Sequence, residues 1–169
     1  MTREIGRRFN HLCKKEFFAD CEAILTPTPR LLGIDGRKMS KSYDNAINLS
    51  DLADVIRDKV RRMFTDPKRI RFADPGHPDE CNVYSYDKIF APPLKDDVYQ
   101  WCTQSKKGCT DCKMILAGEV LRALAPIQEK RRSLEKDRSR IRDILAEGRK
   151  KAQRIARQTI AEVKEIIFS

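Results

Sequence analysis

Long apolar runs are missing from this chain. No stretch approaches the roughly 20 consecutive apolar residues of a membrane-spanning helix, which excludes a helical membrane protein. The opening residues Met1-Thr2-Arg3-Glu4 have no secretory signal core, so a cytoplasmic protein is expected. There is no internal repeat. Acidic residues are too few to balance the basic ones: 25 Asp and Glu stand against 35 Lys and Arg, a formal net charge of +10. An excess of one sign on this scale favours a polyanionic partner, and nucleic acid is the commonest. With 169 residues the chain makes one ordinary domain or two small ones, long enough to bury a core. Its six cysteines, in a chain of cytosolic character, point to a metal or to buried thiols before disulfides.

Most of what is present reads as helix. Residues 2–18 place Ile5, Phe9, Leu12 and Cys13 on one face, with Arg3, Arg7 and Lys14 opposite. Ala23-Ile24-Leu25 reads as a short buried strand stopped by Thr26-Pro27-Thr28-Pro29, with Leu31 and Leu32 beyond. One helix and one strand cannot make a sheet, so the α/β portion lacks most of itself. Ser50 and Asp51 suit the start of a helix whose apolar face is Leu52, Val55, Ile56, Val60 and Met63 and which ends at Asp66-Pro67. Residues 65–80, with three prolines and a glycine, read as irregular. A short helix follows around Tyr84, Ile89 and Phe90, and Pro92-Pro93 introduces another. From Cys112 the pattern is helical almost to the end, with a kink expected at Pro126 and a weak point at Gly148. One stripe is Leu116, Val120, Leu121, Leu124 and Ile127; a second runs from Ile141 through Ile144, Ile155 and Ile160 to Ile167. The expected class is therefore mainly α, a helical bundle preceded by a residual piece of an α/β domain.

The most distinctive stretch is Gly36-Arg37-Lys38-Met39-Ser40-Lys41-Ser42. Two lysines three apart among small hydroxyl residues can offer ammonium groups and hydroxyl donors to a polyphosphate. A lysine that tightens onto a phosphate leaving group as its charge grows lowers the barrier. A bare pair of lysines at this spacing reads equally well as a solvated turn. The full string Lys38-Met39-Ser40-Lys41-Ser42, however, resembles the signature loop of class I aminoacyl-tRNA synthetases. Its setting after Arg30-Leu31-Leu32-Gly33-Ile34-Asp35-Gly36 is most similar to the tryptophanyl-tRNA synthetase family. The resemblance implies that Lys38 and Lys41 act on the β- and γ-phosphates of ATP, Lys41 being the one most tied to the transition state. It implies also that Ser40 and Ser42 add donors, that the Met39 backbone meets the adenosine, and that Leu31 lies against the adenine. Leu31 reads equally as an ordinary core residue, and Asp35-Gly36 as a turn. The family's second ATP signature, of the His-Ile-Gly-His type, has no match, since His11 precedes Leu12-Cys13 and His77 precedes Pro78. A C-terminal half of such an enzyme is thus expected. Residues 1–48 would be the end of a Rossmann-like catalytic domain and residues 49–169 a helical anticodon-binding domain.

Between Lys113 and Ser169 there are fifteen Lys or Arg against eight Asp or Glu, clustered at Arg131-Arg132 and Arg149-Lys150-Lys151. Such a run is either a solvated helix face or a phosphate-binding surface, and the resemblance implies the second, with tRNA as the partner. Aromatic residues that could stack on bases are scarce there. Cys81, Cys102, Cys109 and Cys112 form C-x20-C-x6-C-x2-C. Single cysteines beside one tight pair suit an iron–sulfur cluster better than structural zinc, which usually takes two paired knuckles. A subset of bacterial tryptophanyl-tRNA synthetases has a similar arrangement holding a [4Fe–4S] cluster; its first gap is a little longer. Zinc and buried free thiols are the alternatives. For the whole enzyme the resemblance implies ATP, Mg²⁺, tryptophan and tRNA as ligands, and a homodimer with no membrane attachment. A tyrosine-type synthetase and a stand-alone metal-containing RNA-binding module are the rival readings.

Overall fold

The computed structural model describes residues 1–26, 28 and 30–168. Six α-helices dominate: α1 (Thr2–Cys13), α2 (Ala53–Arg61), α3 (Asn82–Phe90), α4 (Lys95–Thr103), α5 (Cys109–Lys136) and α6 (Arg138–Phe168). Single 3-10 turns occur at Lys41–Tyr43, Pro78–Glu80 and Pro92–Leu94. Among the described residues no strand forms, and the sheet-like element is one antiparallel bridge between Leu32 and Lys38. The mainly α class is as expected. No helix among the described residues is long and apolar enough to cross a membrane.

The chain divides into two compact units, residues 1–26 with 134–169, and residues 27–133. In the first, α1 stops at Cys13, short of the expected residue 18. Lys14 adopts the left-handed conformation (φ 49°) as its C-cap. What turns the chain back is Asn10, whose Oδ1 accepts the backbone N–H groups of Phe17 and Phe18 and whose Nδ2 donates to the Phe18 carbonyl. Phe9, Phe17 and Phe18 then pack edge to face, with centroids 4.7–5.9 Å apart. The buried strand expected at Ala23–Leu25 is not there: Ile24 and Leu25 are exposed and pair with no ladder. Its expected stop falls partly on Pro27 and Pro29, which lie outside the described residues. Helix α6 starts because Asp137 caps it, accepting the Arg140 N–H at 3.0 Å and the Ser139 hydroxyl at 2.6 Å. Pro126 sits inside α5 and Gly148 inside α6, so the interruption comes at Asp137 and not at either of them. The apolar stripe of α6 is at least partly exposed throughout, with Ile144, Leu145, Ile155 and Ile167 all open.

The second unit holds the core. Ile56, Val60 and Met63 of the α2 region pack with Val83, Tyr84 and Tyr86 of α3, Val98 of α4, and Leu116, Val120 and Leu124 of α5. The α5 residues recur at i, i+4 and i+8 and bury one stripe, as the periodicity predicts. Leu121 is half-buried against this core and Ile127 is exposed. Helix α2 begins two to three residues later than expected, with Leu52 as a cap lacking a side-chain bond. Asp51 is engaged elsewhere: it accepts from the Asn48 backbone and side-chain amides and forms a 2.7 Å ion pair with buried Lys59. Lys59 also donates to the Ala46 carbonyl at 2.8 Å, so the buried ammonium is paired and hydrogen-bonded. Leu52 and Val55, expected on the apolar face of α2, are exposed.

Leu116 is fully buried. Leu116→Ala is expected to lower the unfolding free energy by about 2–5 kcal/mol through lost burial and the cavity left behind. Ile160→Ala, at an exposed site, should change it by no more than about 0.5 kcal/mol. Equilibrium denaturation of the two variants measures the difference.

Candidate functional site

The lysine loop is built around a short reversal. Gly33 N–H donates to the Arg37 carbonyl at 2.8 Å and Gly36 N–H to the Gly33 carbonyl at 2.9 Å. Gly36 has φ +76°, a conformation that L side chains resist, so the glycine is required there. Asp35 closes the turn: its carboxylate accepts the Arg37 N–H at 3.0 Å, the Arg37 guanidinium, and the Asn45 side-chain amide at 2.8 Å. These bonds, led by the one from Asn45, hold the Asp35 carboxyl down to about 2. Asn45 is buried and knits the two sides of the loop together. Its Oδ1 accepts the Ser40 N–H, its Nδ2 also donates to the Lys38 carbonyl, and its own carbonyl accepts the Ile34 N–H. A Cβ on Gly33 would fall on the Asn45 side chain, so this glycine too is required, for close approach.

From beneath, α3 holds the same turn. Asn82 Nδ2 donates to the Gly33 carbonyl at 2.8 Å and the Tyr86 hydroxyl to the Leu32 carbonyl at 2.6 Å. The residues expected to bind a nucleotide fall on the outer side of this frame. Leu31, Lys38 and Met39 line one open cavity of about 590 Å³ together with Arg30 and Leu32. Lys41 and Ser42 lie on the 3-10 turn, exposed and outside that lining, and the Ser42 hydroxyl bonds to that of Ser40 at 2.8 Å. The Arg37 guanidinium sits 4.7 Å over the Tyr43 ring. Sequence reading took Asp35 and Gly36 as turn formers, which they are. It did not find Asn45, Asn82 or Tyr86. The only hint was that Asn45 is polar at the edge of an apolar segment.

The second candidate set is the cysteines. Cys81 caps α3, Cys102 is near the end of α4, and Cys109 and Cys112 begin α5. All four line one small cavity of about 20 Å³, with Asp87 of α3 in the same wall. Burial raises the Cys81, Cys102 and Cys112 thiols, the last to about 12. The backbone N–H groups of Tyr84, Asp66 and Val83 act against this at Cys81 by favouring its thiolate. Gly76 leaves room for Cys102, since a Cβ there would fall on its sulfur. Burial and the nearby Glu119 push the Asp87 carboxyl up to about 7, and both its oxygens are buried without a hydrogen-bond partner. Even so, among the described residues no three His, Cys, Asp or Glu side chains are arranged to hold a metal ion. The four thiols are gathered but not brought to ligation geometry. Cys13 and Cys21 lie in the other unit.

A family model described as tRNA synthetases class I (W and Y) matches residues 1–125. The tryptophan–tRNA ligase of Thermotoga maritima is 44% identical over 166 residues, which are 97% of this chain and 50% of that protein. That of Aquifex aeolicus is 44% identical over 167 residues, covering 98% and 42%. Among solved structures, the tryptophanyl-tRNA synthetase from Campylobacter jejuni complexed with ADP and tryptophan superposes with a TM-score of 0.73 at 26% identity. The match covers 98% of this chain and 51% of that one. The chain spans about half the length of the curated relatives it matches.

The charge on Asp35 gives the loop an acid limit. Its carboxyl titrates near 2 in the folded loop against 3.8 ordinarily, so folding favours the carboxylate. That contribution is complete above about pH 4 and is lost as the pH falls towards 2. The protection of the Gly33 and Ile34 amides against hydrogen exchange, relative to the intrinsic rate at each pH, should therefore fall across this window. Asp35→Asn, which cannot titrate, should flatten the profile.

Proposed function

The chain belongs to the class I tRNA synthetases of the W and Y type, and from that membership we propose that it is the C-terminal half of a tryptophan–tRNA ligase. The observation that carries this reading is the loop in which Leu31, Lys38 and Met39 share one open, cationic cavity above a rigid hydrogen-bonded turn. In the whole enzyme, residues 1–48 would close the Rossmann-like catalytic domain and residues 49–169 would form the helical anticodon-binding domain. The enzyme would be cytoplasmic and homodimeric.

The chemistry follows from the loop. The carboxylate of tryptophan attacks the α-phosphorus of ATP and pyrophosphate leaves; the aminoacyl group then passes to tRNA. Lys38 and Lys41 meet the β- and γ-phosphates, where negative charge grows as the bond to the α-phosphorus lengthens. When bound, Mg²⁺ would add to the neutralisation of the triphosphate. The Ser40 and Ser42 hydroxyls bond to each other, so one proton is used within the pair and the other is left for a phosphate oxygen. Lys41, exposed on its own 3-10 turn, can move onto the leaving group without disturbing the Asp35–Asn45 frame. Leu31 would give the adenine an apolar wall. The basic residues of 113–169 would bind tRNA phosphates, supplying affinity more than sequence choice.

In the assembled enzyme, Lys41→Ala is expected to lower kcat by roughly 10²–10³-fold with a much smaller change in KM for ATP, as for other groups that act in the transition state. Tryptophan-dependent ATP–pyrophosphate exchange is the assay. An equal loss of ATP binding and rate would make the lysine a ground-state ligand only.

The cysteine set belongs to the same proposal. Cys81, Cys102, Cys109 and Cys112 would hold a [4Fe–4S] cluster, with zinc as the alternative metal. What supports this is their shared cavity and the N–H groups aimed at Cys81. When bound, the cluster would serve as a structural cross-link of residues 81–112. Protein made with iron and sulfide and purified without oxygen should be brown, and Cys109→Ser should remove the colour while Cys13→Ser does not. Anaerobic protein carrying neither iron nor zinc would return the four cysteines to plain buried thiols.

A further inference from the structure

Helix α3 reaches the lysine loop through two side chains that lie out of reach of solvent. Tyr86 is 1% exposed and Asn82 3%. The Tyr86 ring is fixed in the core, stacked on that of Phe90 at 6.0 Å, so its hydroxyl cannot swing away. That hydroxyl donates to the Leu32 carbonyl at 2.6 Å, and Asn82 Nδ2 donates to the Gly33 carbonyl at 2.8 Å. Burial pushes the Tyr86 hydroxyl up to about 12, so it keeps its proton, and with it the bond, through neutral pH. Core packing does not ask for these polar atoms. Asn82 Oδ1 is left buried without a partner, a cost that an apolar side chain of similar size would avoid.

The two carbonyls are consecutive, so the two bonds fix successive peptide planes at the entry of the loop. Those planes face the first lysine across the turn. Leu32 bridges Lys38 in antiparallel fashion, and the Gly33 N–H donates to the Arg37 carbonyl at 2.8 Å. From the Lys38 carbonyl the constraint passes through the Asn45 side chain to the Ser40 N–H, next to Lys41. A shift of the two α3 donors is therefore felt at both lysines through an unbroken run of hydrogen bonds. In the ground state, flexible lysine side chains can follow a triphosphate over some distance. At the transition state charge builds on the leaving oxygen, and a misplacement of about 1 Å caused from far away can cost on the order of 10²-fold in rate.

We propose that Tyr86 and Asn82 are positioning residues for the activation step. Neither touches the nucleotide; both set where Lys38 and Lys41 meet the departing pyrophosphate. This rests on the reading of the lysine loop above and adds to it two residues from the helical part of the chain, about fifty positions downstream.

The test is made in the full-length enzyme by tryptophan-dependent ATP–pyrophosphate exchange. Tyr86→Phe keeps the ring and removes one hydroxyl; it should lower kcat about tenfold with little change in KM for ATP. Asn82→Ala should act in the same direction, and serves as a second, independent removal. Transfer of tryptophan from preformed tryptophanyl-adenylate to tRNA takes place after pyrophosphate has left, so both variants should keep its rate. An equal slowing of exchange and transfer would mark a general loosening of the protein and overturn the positioning role. Added to Lys41→Ala, Tyr86→Phe should lose most of its effect, because a group it positions is gone. A full tenfold loss on top of Lys41→Ala would likewise overturn the proposal. If Lys41→Ala slows exchange while Tyr86→Phe and Asn82→Ala do not, the positioning role fails and the reading of the loop stands. If Lys41→Ala itself leaves exchange unchanged, that reading fails and the positioning role with it.

Discussion

Two side-chain hydrogen bonds from α3 hold the lysine loop to the protein. The Asn82 amide and the Tyr86 hydroxyl are both buried and both end on main-chain carbonyls, those of Gly33 and Leu32. Each such bond contributes about 0.5–1.5 kcal/mol, and the Gly33 carbonyl accepts the Gly36 N–H as well. Above them, Asn45 and Asp35 pass the constraint upward through four further bonds to Ser40, Lys38, Arg37 and each other. The Phe64 N–H adds a third attachment, donating to the Ile34 carbonyl at 2.7 Å. The result is a rigid floor beneath side chains that stay exposed. Lys38 and Lys41 can therefore move at their tips while their backbone entry stays fixed.

The same helix faces the cysteines. Cys81 caps α3 directly before Asn82, and Asp87 follows Tyr86. The loop frame and the thiol cavity thus share one nine-residue helix. Their electrostatics are opposite. Asp35 is surrounded by donors and held charged, near 2; Asp87 has none and is held towards neutrality, near 7. A carboxyl buried beside raised thiols is costly to fold and has no compensating bond in this unit. Asn82 Oδ1, on the loop side of the same helix, is likewise buried without a hydrogen-bond partner, so α3 carries this cost towards both sites.

Elements whose signal is local were legible. The α5 stripe follows from 3.6-residue spacing, the helix introduced by Pro92-Pro93 from proline, and Gly36 from the Asp-Gly turn. Two of the misreadings share a cause, a side chain drawn to a distant partner. Ser50 and Asp51 looked like a helix start, but Lys59, eight residues on, claims the Asp51 carboxylate. Residues 14–18 looked helical, but Asn10 captures the Phe17 and Phe18 amides. Ala23–Leu25 had the composition of a buried strand, but a strand needs a neighbour to complete its ladder, and among the described residues none stands beside it.

What the sequence determined by itself was the chemistry on offer: two lysines and two hydroxyls in one short string, four cysteines within thirty-two residues, and a surplus of positive charge towards the C-terminus. Those are properties of residue type and spacing, and they survive any fold. Only the tertiary structure decided which groups work together. It put Leu31 on the same cavity as Lys38 and Met39, and set Asn82 and Tyr86 under a turn some fifty residues earlier in the chain. Each of these meetings depends on how α2, α3 and α5 pack around Ile56, Tyr86 and Leu116. Packing is set by the whole core at once, and no window of sequence contains it.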